Sequence, residues 1–426
     1  METLKEITLK LPWLNNLPGD WEIERGKRLF KKVQRSFDDK SETVTAFRDG
    51  QVTLRKNRRL EGFTESIKEF GYQGVNKGDL VIHSMDGFAG AIGVSDSDGK
   101  CSPVYNVCLP ISNANQYYYS FLLRYLAHQK YIMSLAKGIR ERSTDFRFED
   151  FGNLILPVPP RKEQDAIVKF LDEKIADIDK YISAKQKLID LLNEQKAAII
   201  NQAVTKGIDP NVKMKDSGVE WLGDVPKHWE IKPLKHWVYM NQEKLSEDID
   251  PNYEFEYLDI GNVQTGKIVG EIEKFKFENA PSRARRIVRN GDTIISTVRT
   301  YLKAVLYIDK YSEKYIVSTG FAVLTPRKII SPYFLYLAVQ NNPFISMVTA
   351  KSVGASYPAI NPTTLGTLKL AAPYDVTEQL KIIKFINAEF IPIEKNIDSI
   401  QSQINLMESY KISLIAEAVT GKLKIT

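Results

Sequence analysis

"WLGDVPKHWEI" (221–231) restates "WLNNLPGDWEI" (13–23), with both tryptophans, the proline and the closing Glu-Ile at one offset, since 221 − 13 and 229 − 21 both equal 208. Six of the eleven positions are identical. In a chain with five Trp, a match in two of them marks an internal duplication rather than a common turn signal. Everything else is therefore read for a second copy.

The second copy includes a long helix. After Pro159-Pro160 the run "RKEQDAIVKFLDEKIADIDKYISAKQKLIDLLNEQKAAIINQAVTKG" has no Gly or Pro until Gly207 and is rich in helix formers. "TEQLKIIKFINAEFIPIEKNIDSIQSQINLMESYKISLIAEAVTGK" (377–422) repeats it at an offset of 215, placing Glu378-Gln379 on Glu163-Gln164, Phe385 on Phe170 and Ala418-Val419-Thr420 on Ala203-Val204-Thr205. In heptads, the first seam reads Val168, Leu171, Ile175, Ile178, Ile182, Lys185, Ile189, Leu192, Lys196, Ile199 and Ala203. The second reads Ile383, Ile386, Phe390, Ile393, Ile397, Ile400, Ile404, Met407, Lys411, Leu414 and Ala418, with Lys411 in register with Lys196.

Stripes sustained for about five heptads exceed what one small domain covers, so a coiled coil is predicted. From Val168 to Ala203 the helix climbs about 54 Å at 1.5 Å per residue. The sixteen residues from Thr205 to Glu220 reach at most roughly 53 to 58 Å, which favours an antiparallel pair. Pro392 stands where the first copy has Asp177 and is predicted to kink or restart the second helix. The fold class expected is mixed α/β (α+β): two similar globular domains joined by two long antiparallel helices, a pseudo-two-fold internal repeat.

Between the tryptophan signature and each helix, landmarks persist. "NKGDLVIHSMDGFAGAIGV" (76–94) parallels "RNGDTIISTVRTYLKAVLY" (289–307), a Gly-Asp turn followed by strand, polar loop and strand. The loop residues differ in kind: Ser84, Asp86 and Phe88 stand opposite Thr297, Arg299 and Tyr301. A kept scaffold with varied tips suits two domains that read different ligands. Basic residues gather in these globular parts, interleaved with aromatics: Arg55, Lys56, Arg58 and Arg59; Lys137, Arg140, Arg142 and Arg147; Arg283, Arg285 and Arg286; Arg299 and Lys303; and Lys351 beside Ser352 and Tyr357. Arginine offers a charged fork for phosphate oxygens or a guanine edge, so these are the candidate DNA-binding residues.

Composition excludes other classes. With 43% hydrophobic and 26% charged residues, and no run of ~18 apolar residues, the chain reads as a cytoplasmic protein. "METLKEITLK" lacks the apolar centre of a signal peptide. Cys101 and Cys108 are too few for a disulfide framework and read as buried side chains. The 59 basic and 53 acidic residues give +6, which permits nucleic-acid binding without requiring it. No phosphate-cradling or dinucleotide glycine loop is present, and His83, His128, His228 and His236 lack metal spacing. "NNPF" (341–344) lacks the second proline of an amino-methyltransferase motif and reads as a turn. The expectation is a non-enzyme with no cofactor or metal of its own. Its rivals are a structural adaptor indifferent to DNA and a self-sufficient methyltransferase.

"KDSGVEWLGDVPKHWEI", the "PPRKEQDAIVKFLD" start of the first helix, its copy "TEQLKIIKFIN" and "GASYPAINP" (354–362) together resemble the specificity subunit of type I restriction-modification systems. The resemblance spans the whole chain. It implies two target-recognition domains, 1–160 and 221–376, each reading half of a split double-stranded DNA target. It also implies coiled-coil helices at 161–204 and 377–426, a linker at 205–220, two methyltransferase subunits docked on the helices, and restriction/translocase subunits beyond them. S-adenosylmethionine, ATP and Mg then belong to those partners. "GASYPAINP" has no counterpart in the first half, where "GIRERSTDF" stands, so the two sets of loops need not act alike.

Overall fold

Each tryptophan signature is tied to its own long helix by the same bonds. In the computed structural model, which describes residues 11–14, 17–38, 40–58, 70–111, 113–135, 145–354 and 356–425, the Trp21 indole N–H donates to Glu163 at 2.9 Å. The Trp229 indole donates to Glu378, also at 2.9 Å. Beside each glutamate sits a buried glutamine that bonds two buried backbone groups. Gln164 accepts from the Asn115 N–H (2.7 Å) and donates to the Pro159 carbonyl (2.8 Å). Gln379 accepts from the Ser331 N–H (2.6 Å) and donates to the Pro373 carbonyl (2.8 Å). Asn115 and Ser331 cap the helices Gln116–His128 and Pro332–Gln340. The Glu-Gln pair thus fastens the start of the long helix to the cap of another.

Gln164→Leu leaves two buried backbone groups unpaired, each worth about 1–3 kcal/mol. The expected result is a loss of roughly 2–6 kcal/mol, read as a fall in the urea midpoint by circular dichroism; an unchanged midpoint would show the fastening to be dispensable.

The chain divides into two compact units, one from Met1–Gln186 with Gln401–Thr426 and the other from Lys187–Ile400. The first opens with strand Glu22–Arg25, antiparallel to Ile155–Val158. A short helix, Gly26–Leu29, leads into a sheet whose strands lie in the order Phe30–Val33, Tyr105–Pro110, Leu80–His83, Ile92–Val94, all antiparallel. The second unit repeats this: Glu230–Pro233 pairs with Lys369–Ala372, and Leu234–Trp237 precedes a sheet ordered Val238–Met240, Phe321–Pro326, Thr293–Ser296, Val305–Tyr307. The Gly-Asp turns match as well. Gly78 and Gly291 take φ of 93° and 95°, the left-handed region open to glycine. Asp79 and Asp292 accept from the N–H three residues back, at Asn76 and Arg289.

The copies diverge in their second layers. The first has two hairpin-sized sheets, Val44–Ala46 with Val52–Leu54 and Gln73–Val75 with Gly99–Cys101. The second has four strands ordered Glu273–Lys276, Glu254–Leu258, Tyr315–Ser318, Ala284–Ile287, one pair of them parallel. Cys101 and Cys108 are buried free thiols, both pushed up to about 12 by desolvation.

The long helices run Arg161–Lys206 and Val376–Val419. In the first, all positions of the heptad seam are buried or half-buried, while every other position between Leu171 and Lys196 is exposed. In the second, Gln403 alone among the off-seam positions between Ile386 and Leu414 is not exposed; it accepts from the Tyr181 hydroxyl at 3.0 Å. Within the first unit Lys411 pairs with Asp179 at 2.6 Å, and Ala418 and Leu414 share a core with Leu171, Ile178, Trp21 and Tyr118. Within the second, Lys196 pairs with Glu394 at 2.6 Å, and Ala203 shares a core with Ile382, Ile386, Trp229 and Trp237. The partners descend in one helix as they rise in the other, so the pair is antiparallel, and both ion pairs keep one register (179 + 411 = 590; 196 + 394 = 590). The seam lysines lay their stems along the apolar stripe and take their charges out to carboxylates on the rim.

Of the two outcomes expected at Pro392, a restart of the helix does not occur: Val376–Val419 passes through it. Pro392 and Ala388 both lie on the exposed side, where the carbonyl deprived of its N–H partner is open to water.

The helices leave their units alike. Gly207 (φ 72°) packs on Trp229 and Pro226, and Gly421 (φ 71°) packs on Trp21 and Pro18, each where a side chain would meet the ring. The turn after the first helix continues covalently to Trp229. The turn after the second reaches Trp21 by packing alone.

Candidate nucleic-acid interface

In the second unit the polar loop after strand Thr293–Ser296 is joined to a hairpin more than fifty residues away. The Arg299 N–H donates to the Pro358 carbonyl (2.8 Å), and the Ile360 N–H donates to Thr297 (2.8 Å). Val298 bridges Ala359, which also pairs with Val353. The Thr300 and Ser352 hydroxyls are bonded at 2.9 Å. The Arg299 guanidinium lies over the Tyr357 ring, 4.7 Å from its centroid, a cation–π contact that fixes its plane. Arg299 and Lys303 hold left-handed backbone, φ 50° and 54°, on either side of the turn Thr300–Leu302. Such values are uncommon outside glycine and cluster where a loop is held for use. The outcome is one tip built from two segments, with Arg299, Tyr301, Lys303, Lys351 and Tyr357 exposed.

Carboxylate partners set most of the other basic residues apart from this tip. Lys56 pairs with Glu42 (2.6 Å) and Arg58 with Asp49 (2.6 Å). Arg147 pairs with Asp145 (2.5 Å), and Arg285 stacks on Phe277 with Glu247 at 3.9 Å. Arg55 lies half-buried near Thr45. Arg283 is exposed at the head of strand Ala284–Ile287. Among the described residues Arg299, Lys303 and Lys351 enter no ion pair with a carboxylate. A cluster of unneutralised cations over aromatic rings is suited to a polyanion.

The first unit has the corresponding joint: the Phe146 N–H donates to the Ser84 carbonyl at 2.9 Å, as Ile360 does to Thr297. Ser84, Asn106, Lys32 and Arg147 line an open cleft of about 610 Å³ there, so Ser84 and Arg147 come together. Asp86 is held by Arg48 at 2.8 Å, and its N–H donates to His83 Nδ1 at 3.0 Å. Burial holds the His83 imidazole below its ordinary value despite the neighbouring Asp86 carboxylate. Lys137, Arg140, Arg142 and Arg59 lie outside the described residues.

Three candidates lie partly or wholly inside the fold. Phe88 is half-buried against the first core. Thr297 is 7% exposed, and its hydroxyl donates to the Gly320 carbonyl at 2.8 Å. Arg286 is half-buried in its strand with Nε out of reach of any acceptor, and desolvation lowers its pKa. Arg286 is turned in by its place in strand Ala284–Ile287, Thr297 by its bond to the Gly320 carbonyl and Phe88 by the turn Gly87–Ala89, contacts that charge and loop position do not reveal. The sequence reading also missed Leu302 and Val353, apolar residues exposed on the tip. The tryptophans Trp13, Trp21, Trp229 and Trp237 are core, while Trp221 is half-buried against the second core.

No described helix is long and apolar enough to cross a membrane. Residues 18–189 and 226–405 match the type I restriction modification DNA specificity domain. The type I restriction enzyme MjaVIII specificity subunit of Methanocaldococcus jannaschii is 24% identical, over 72% of this chain and 70% of its own. A protein of the same organism, named for the MjaX specificity subunit, is 23% identical over 100% of this chain and 99% of its own. A solved structure from work on complex assembly and conformational transition of the type I R-M system aligns with a TM-score of 0.65 at 14% identity, covering 96% of this chain and 100% of that one. With matches over both halves of a duplicated fold, the chain belongs to the type I restriction modification DNA specificity domain family and carries two copies of that domain.

Proposed function

We propose that this chain is the sequence-specific DNA-recognition subunit of a type I restriction-modification complex and performs no bond chemistry itself. Residues 1–160 and 221–376 are the recognition domains, each reading one half of a bipartite target. The helices set the spacing between half-sites and dock the methyltransferase subunits, which carry out the transfer to DNA. The observation that carries the reading is the tip of the second unit, where Arg299, Lys303 and Lys351, free of carboxylate partners among the described residues, stand beside exposed Tyr301 and Tyr357. Cations of this kind displace the counterions of a duplex, and an arginine held in one plane is matched to a base edge. In the first domain Ser84, Arg147 and the basic residues Arg55, Lys56 and Arg58 form the counterpart surface, with Asp86 holding Arg48. Support for docking comes from apolar side chains off the seam, among them Leu191, Ile391 and Leu406, available to a partner helix.

Sequencing of methylated positions in DNA from cells carrying this subunit with its methyltransferase partners tests the proposal. The expected result is one motif of two short, unlike half-sites separated by a fixed unspecified gap. A contiguous motif, or methylation independent of the subunit, would overturn it.

A further inference from the structure

The same tip presents two side chains that charge does not explain. Leu302 is 46% exposed and Val353 is 80% exposed. They sit on the two joined segments, next to the bonded pair Thr300 and Ser352. Their backbone is fixed by the left-handed residues Arg299 and Lys303 on one side and the Val353–Ala359 pairing on the other. Aliphatic groups held rigidly in water within a cationic rim favour a ligand that is anionic at its margin and apolar at one central point. In the DNA major groove the outer surface is phosphate, and the one apolar group among the base edges is the 5-methyl of thymine.

Building on the DNA-recognition reading, we propose that Leu302 and Val353 select thymine within the half-site read by the second domain, by packing against its methyl group while Lys303 and Lys351 hold the flanking phosphates and Arg299 meets a neighbouring base edge. The selection is subtractive: cytosine and the purines place bare polar edges against the two side chains and leave them facing unpaired donors or acceptors. Tyr357 stays on Arg299 and supplies rigidity.

The test uses the assembled complex with its methyltransferase subunits, bound to a duplex carrying the methylated motif, with each thymine replaced in turn by deoxyuridine. This removes a methyl group and changes no hydrogen bond. The half-site of the second domain is the one that changes when residues 234–368 are exchanged. At one or more of its thymines the replacement weakens binding by about fourfold, the worth of one buried methyl. In Leu302→Ala or Val353→Ala complexes the same replacement costs under about twofold, while thymines of the other half-site respond as in the parent. Leu302→Met and Val353→Ile, which keep an apolar group, retain the penalty and separate recognition from misfolding. The proposal is overturned if that half-site has no T·A pair, if deoxyuridine is tolerated at all its positions, or if the penalty survives both alanine substitutions. A parent complex that binds no duplex at all would instead remove the DNA-recognition reading.

Discussion

Replacing Ile189 and Ile400 together with aspartate separates the two long helices. Both are seam residues of the second unit, 7% and 6% exposed. Their numbers sum to 589 (189 + 400), within one residue of the register kept by the ion pairs Lys196–Glu394 and Lys411–Asp179, so they face each other. Two carboxylates in an apolar layer repel, Lys185 one turn before position 189 can answer only one of them, and burying each costs several kcal/mol. A combined loss of roughly 4 kcal/mol or more lowers the thermal midpoint by about 10 °C for a unit of this size. The globular cores around Trp21 and Trp229 lie away from the substitution, so the first transition seen by circular dichroism is expected to be helical. Co-purification of methyltransferase subunits should be lost with it. Ser183→Asp, exposed and off the seam, is the matched control and should change stability by under about 0.5 kcal/mol. Equal behaviour of the two variants would mean that the helices do not depend on their seam.

Exchange of residues 234–368 for the equivalent stretch of another specificity subunit replaces one half-site and leaves the other unchanged. The stretch is a closed module. The Leu234 N–H donates to the Leu368 carbonyl at 2.8 Å, so its ends already meet, and the flanking strands Glu230–Pro233 and Lys369–Ala372 stay with the recipient. Each wrong base pair costs about 1–3 kcal/mol, so the original half-site should be disfavoured by on the order of a thousandfold once three positions change. Methylation sequencing reads the result directly. The gap between half-sites should persist, because both helices are untouched. A change in both half-sites at once would show that the two domains read DNA jointly.

The parts of this molecule legible in the sequence are those that depend on local period. The seam needs only a 3.5-residue repeat of apolar side chains, and the Gly-Asp turns need only a left-handed glycine, so each could be read within a few residues. The candidate interface is a different case. Whether Thr297 or Arg299 faces outward is decided by the pairing of Val298 with Ala359, sixty-one residues along the chain (359 − 298 = 61). That contact exists only in the folded state. Thr297 was therefore grouped with the readers although its hydroxyl is directed at Gly320. Leu302 and Val353 passed unnoticed because apolar residues are ordinarily taken for core. Pro392 is a related case: whether it restarts the helix depends on whether the orphaned carbonyl meets water, and that depends on which face of the coiled coil it occupies.

The paired glycines have a topological consequence. Gly207 and Gly421 hold the same position against Trp229 and Trp21, yet only one of the two turns is crossed by the chain. The chain thus crosses one of two equivalent helix-to-tryptophan turns by bonds and leaves the other as a contact alone. A gene rearranged so that a linker joins residue 425 to residue 11, with new ends placed between 207 and 221, would encode the same set of contacts in a different order. The contacts therefore do not dictate which copy comes first along the chain, since either order joins the same helix ends to the same tryptophans.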